Sequence, residues 1–122
     1  MDALYIESTA NTPQINFNPL TGVFEMVGCS IPEDTDEFYN PVTTWLDSYI
    51  ILPDARIAEF HMKVDYFNTS SSKIILDLLN TIIQFDQAIK IQWFCKSYDI
   101  DMEDTVLDFQ EVLGQPIEIV KV

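Results

Sequence analysis

Hydroxyl groups crowd one point of this chain. In Tyr66-Phe67-Asn68-Thr69-Ser70-Ser71-Ser72-Lys73, four hydroxyl side chains stand in a row directly ahead of an apolar pattern that runs to Leu79. A helix start leaves its first N–H groups unpaired and carries a partial positive charge. Asn68, Thr69 or Ser70 can each serve as the N-cap that satisfies one of those groups. Capping accounts for one or two of these residues and has no use for the rest. A hydroxyl at this place has a second chemistry. A phosphate ester there meets free N–H donors and a favourable dipole, a gain of about 0.3–1 kcal/mol when exposed. Redundant capping and covalent modification are the two readings of this turn.

The remaining chemical equipment is thin. His61 is the only histidine and falls on the polar face of a predicted strand, so it reads as structural. One histidine and two distant cysteines give no zinc spacing. Three glycines form neither a dinucleotide loop nor a phosphate-cradling loop, and no nucleophile elbow occurs. Asp99-Ile100-Asp101-Met102-Glu103-Asp104 has part of a calcium-loop spacing but lacks the glycine at its bend, so it reads as an acidic helix start. No catalytic residue, metal or cofactor is expected. Arg56 is the only arginine, so a phosphate on this chain has no internal arginine fork to dock on.

Composition narrows the partners. The 122 residues carry 20 acidic and 6 basic side chains, a net charge of −14. That field repels nucleic-acid phosphates and anionic lipid, and it steers in a protein with a basic face. With 48% hydrophobic and 12% aromatic residues the chain can build a core, and its length suits one domain over residues 1–122. Cys29 and Cys95 lie in strand-like runs and read as buried free thiols. No secretion signal opens the chain and no apolar run approaches ~18 residues, so a cytoplasmic protein without membrane insertion is expected.

The elements that must carry the turn follow from periodicity. Ile15 and Phe17 alternate with polar neighbours, Asn18 to Gly22 is a turn, and Val23 to Gly28 is the return strand of a hairpin. Phe38, Val42, Trp45, Leu46, Tyr49 and Ile50 recur at helical spacing, with Pro41 early in that helix. Ile57 to Asp65 alternates as a strand. A helix with Ile74, Ile75, Leu78, Leu79, Ile82, Ile83 and Phe85 on one stripe follows it. Ile89 to Cys95 is a strand, Asp99 to Leu113 a helix ended by Gly114, and Pro116 to Val122 a final strand. Helices between strands require crossovers. The fold class is α/β: a small sandwich with a mixed sheet of about five strands, an N-terminal hairpin, and helices packed on the sheet.

The turn, set between a strand and an apolar helix, resembles the signature of SiaC-type regulatory phosphoproteins. The stretch from Thr12-Pro13 through Gly28, Ser30, Pro32-Glu33, Phe38 and Pro41 is similar to that family's N-terminal half. Trp93-Phe94, Asp99, Asp101-Met102 and Asp108-Phe109 are similar to its C-terminal half. Val106 and Cys95-Lys96-Ser97 depart from the family's usual residues, away from the turn. The resemblance implies a STAS-like fold, as in anti-anti-sigma factors. It implies that Thr69 is the phosphoacceptor, with Asn68, Ser70, Ser71 and Lys73 on the surrounding protein-binding face. It also implies a protein kinase, a PP2C-like phosphatase, and a diguanylate cyclase activated by the unphosphorylated form, hence cyclic-di-GMP and biofilm signalling. Two alternatives stand beside it: a constitutive interaction module, and a partner-switching protein with a different target.

Overall fold

In the computed structural model, which covers residues 1–122, the periodicities resolve into six strands and three helices. In chain order they are β1 (Leu4–Ile6), β2 (Gln14–Asn18), β3 (Val23–Ser30), α1 (Thr35–Ile50), β4 (Glu59–Phe67), α2 (Thr69–Phe85), β5 (Lys90–Cys95), α3 (Ile100–Leu113) and β6 (Glu118–Lys121). The expected hairpin is β2–β3. Its turn is closed by Asn18, whose Oδ1 accepts from Leu20 N–H and whose carbonyl accepts from Gly22 N–H, both at 2.9 Å.

The strands lie side by side in chain order. The pairs β1–β2 and β2–β3 are antiparallel, and the pairs from β3 to β6 are parallel. The sequence led to about five strands; the sixth is β1, which pairs Leu4 with Phe17 and Ile6 with Ile15 at the sheet edge. Three residues span barely one alternation, too short a run for periodicity to register.

Parallel strands in sequential order, joined by right-handed crossovers, carry every helix over the same face. Burial follows that rule. Phe24, Met26, Phe60, Met62, Ile91 and Trp93 are buried beneath the helices. Their neighbours Glu25, Val27, His61, Lys63, Gln92 and Phe94 face the other way and are half-buried on an uncovered sheet face. There His61 lies between Glu59, at 3.3 Å, and Glu25, at 3.8 Å, which fits its structural reading. No helix is long and apolar enough to cross a membrane.

α1 corrects its predicted stripe. The buried residues are Tyr39, Val42, Leu46 and Tyr49, whereas Phe38, Trp45 and Ile50 are half-buried. The sheet-facing line advances by three, four and three residues and so passes through Tyr39 rather than Phe38. In α3 the ambiguous last position belongs to Leu113, with Val112 exposed. Cys95 is buried as expected. Cys29 is half-buried, and its thiol donates to the Ala10 carbonyl at 3.1 Å.

Aromatic rings knit β2, β3 and α1 together. Phe17 and Phe24 stack at 4.7 Å, and Trp45 and Tyr49 close over Phe24 at 5.6 and 5.7 Å. Phe24→Ala removes the centre of this cluster. It is expected to cost about 3–5 kcal/mol, read as a lower urea midpoint at unchanged slope.

Candidate functional site

Because β3, β4 and β5 are parallel, the helices that follow them all begin at the carboxyl edge of the sheet. Each start uses the same device. Asp34, Asn68 and Asp99 cap α1, α2 and α3, and each side chain accepts from the N–H three residues on: Glu37, Ser71 and Met102, at 3.1, 2.9 and 3.0 Å. The capping question left open by the sequence is answered by Asn68. The first acidic residue of Asp99–Asp104 is likewise a cap, and Asp101 and Glu103 fill the first turn of α3. α1 has Asp36 and Glu37 in the same place, whereas the first turn of α2 has no carboxylate.

A β-bulge aims the turn. Gly28 pairs with Val64 and Cys29 with Tyr66, so Asp65 is an extra residue in β4. Gly28 adopts φ 119°, a conformation that favours glycine. The inserted residue reverses the alternation for the end of the strand. Tyr66 goes out to solvent, and Phe67 turns inward against Phe109 and Trp93, at 5.7 and 6.0 Å. Asn68 N–H then donates to the Ser30 carbonyl at 3.1 Å, which pins the cap to the end of β3. The sequence carried one sign of this, two adjacent aromatics where strict alternation allows only one inward.

The four hydroxyls separate into distinct roles. Ser71 is fully buried and receives the Ser30 hydroxyl proton at 2.8 Å. Ser30 also meets the Tyr39 hydroxyl at 2.7 Å. Since the single Ser30 proton is committed to Ser71, the Tyr39 phenol is the donor to Ser30. Burial pushes the Tyr39 phenol up to about 12. Ser70 is exposed but engaged: it bonds Thr35 at the start of α1, at 2.7 Å, and donates to Asn68 Oδ1 at 3.2 Å. Ser72 is half-buried. Thr69, the first residue of α2, is exposed, and its hydroxyl has no protein partner.

The expected binding face therefore needs one correction. Ser71 cannot contribute a side chain to a surface, because it closes an internal hydrogen-bond chain. Asn68 is half-buried by its capping role, while Ser70 and Lys73 stay exposed beside Thr69. Sequence reasoning missed the roles of Ser30 and Thr35, which bond Ser71 and Ser70 from 41 and 35 residues away, and of Tyr39, which holds Ser30.

The surroundings are acidic. Glu33, Asp34, Asp36 and Asp77 line a depression with Ser70 and Lys73 on one side. Asp65, Asp99 and Asp101 line another on the side of α3. Arg56 bonds the Leu20 carbonyl at the amino edge. The length of β4, roughly 30 Å at about 3.3 Å per residue, separates it from Thr69.

These features define a class of small two-layer α/β domain that presents a hydroxyl-bearing helix start at the carboxyl edge of its parallel strands. The family profile described as SiaC family regulatory phosphoprotein matches residues 6–122, and the chain belongs to that family. Apo-SiaC from Pseudomonas aeruginosa superposes with a TM-score of 0.87 at 25% identity, covering 98% of this chain and 99% of the other. SiaC in the crystal structure of diguanylate cyclase SiaD with its activator SiaC, also from Pseudomonas aeruginosa, aligns with a TM-score of 0.83 at 26% identity over 98% and 99% of the two chains. An uncharacterized protein of Pseudomonas aeruginosa strain UCBPP-PA14 is 26% identical over 98% of this chain and 96% of its own length.

Removing a buried hydrogen-bond partner strands the other partner without water. Ser71→Ala is expected to cost about 1–3 kcal/mol, whereas exposed Thr69→Ala stays within about 0.5 kcal/mol, both read by urea denaturation. The folded-state phenol of Tyr39 titrates above its unfolded value of 10.0. Its contribution to stability is therefore whole below pH 10 and is lost as pH rises toward about 12. Tyr39→Phe should flatten that loss in a comparison of melting curves across alkaline pH.

Proposed function

We propose that this chain is a non-enzymatic regulatory phosphoprotein, acting as one STAS-like domain over residues 1–122, in which phosphorylation of Thr69 switches binding to a partner protein. The observation that carries this reading is the division of labour in the turn. Of four consecutive hydroxyls, only Thr69 is both exposed and free of a protein partner. The partner we assign is a diguanylate cyclase, supported by the SiaC–SiaD complex of a structural relative. The signalling output is then cyclic-di-GMP in the cytoplasm, with biofilm growth downstream. A protein kinase and a PP2C-like phosphatase add and remove the phosphate.

The physics favours obstruction over rearrangement. A phosphate on Thr69 adds about −1.5 to −2 charges. The Thr69 and Ser70 N–H groups at the open end of α2 can receive it without moving the turn. The Ser30–Ser71 and Thr35–Ser70 bonds hold that turn in place. Carboxylates flank it, and the one arginine is at the far edge. A charge buried without a partner at an interface costs about 3–5 kcal/mol, which exceeds a hundredfold in Kd at roughly 1.4 kcal/mol per tenfold.

Thr69→Asp is expected to weaken cyclase binding by about a hundredfold or more, and Thr69→Ala to bind like wild type while losing the phosphate mass of native protein. Calorimetric titration of the cyclase with each variant reads the first effect and intact-mass spectrometry the second. Undiminished binding by Thr69→Asp would sink the switch.

A further inference from the structure

A second feature of the carboxyl edge has no role in the Thr69 switch. Between the loop after β1 and the start of α1 runs a groove of about 590 Å³. Its apolar surface is Ile6, Phe38 and Pro41, and its rim carries Glu33, Asp34 and Glu37. No lysine or arginine lines it. The ion pairs of the chain use other carboxylates, namely Glu25, Glu59 and Glu103. The opposite wall uses its own hydroxyls, because Thr9 and Thr12 bond each other at 2.6 Å.

Pro41 also shapes the groove. It lies inside α1 and has no N–H to give the carbonyl of Glu37, four residues earlier. The groove therefore offers the carboxylates of Glu33 and Glu37, which make no ion pair, beside the capping Asp34 and around an apolar floor. An occupant must bring hydrogen-bond donors, positive charge and an apolar side chain together.

We infer that this groove is the docking site for a cationic segment of the partner protein, one presenting arginine or lysine beside an aliphatic side chain. The inference rests on the reading that the partner covers the Thr69 edge. Glu33 and Asp34 line both this groove and the depression that holds Ser70, so one bound segment meets both. The groove supplies the attraction and orientation, and Thr69 supplies the gate.

The test has two arms. In the first, the chain is titrated with a short peptide of alternating leucine and arginine, and with its glutamate-for-arginine counterpart, while amide resonances are followed. Shifts are expected to concentrate at Ile6 and from Glu33 to Phe38, to be absent with the glutamate peptide, and to be lost in the double variant Glu33→Lys with Glu37→Lys. Shifts spread evenly over the acidic surface would overturn the inference. In the second arm, that variant should weaken cyclase binding by about tenfold or more and flatten its salt dependence. The gentler pair Glu33→Gln with Glu37→Gln should give a smaller loss, and Asp47→Lys on the exposed side of α1 a change within about twofold. If Thr69→Asp abolishes binding while the charge-reversed groove binds like wild type, the groove is refuted and the switch stands. The reverse pattern refutes the switch and leaves the groove.

Discussion

The arrangement of the carboxyl edge depends on one buried hydrogen bond, from Ser30 to Ser71. It joins the end of a strand to the first turn of a helix 41 residues later, and Tyr39 completes it from a third element. An apolar contact at that place would bury as much surface without fixing direction. A chain of hydroxyls fixes both, because each proton has one acceptor and an unmade bond in a dry interior is costly. With Ser71 held from below and Ser70 held from α1, the remaining rotation of the turn is settled. Thr69 is then directed outward by exclusion.

This division explains what could be read from the sequence and what could not. The α2 stripe and the β4 alternation are local repeats, and their apolar residues announce themselves at fixed intervals. The turn announced itself as well, through an excess of hydroxyls over what capping uses. Its supporting residues did not. Ser30 looks like the polar end of a strand, and Tyr39 looks like a neighbour of the more apolar Phe38. Their roles arise only when the sheet brings residues 30, 39 and 71 together, and no spacing in the chain encodes that meeting. The bulge at Asp65 is an intermediate case. Two adjacent aromatics signal a break in alternation, but which of them turns inward is decided by Trp93 and Phe109, from elements later in the chain.

Charge is distributed with the same economy. The chain carries −14, yet its carboxylates are not uniform in use. Some cap helices, Glu25 and Glu59 hold His61 and Lys63 on the uncovered sheet face, and Glu33 and Glu37 at the start of α1 make no ion pair. Helix starts favour negative charge for their own stability. The same residues thereby give the carboxyl edge its acidic field at no conformational cost. The exception is the first turn of α2, which carries hydroxyls and no carboxylate.

The sequential strand order has a consequence for how the molecule comes to exist. Each strand pairs only with strands next to it in the chain, although β3 and β4 meet across a full crossover, Val23 against Glu59. The parallel pairs are joined through crossover helices, and pairing of that kind is slow to find. The hydroxyl chain needs nothing beyond residue 71, and β3, α1, β4 and the opening of α2 are all made by then. All three hydroxyls of that chain are therefore synthesised before β5, α3 and β6. The later elements then add Trp93 and Phe109, which settle the inward turn of Phe67 beneath it.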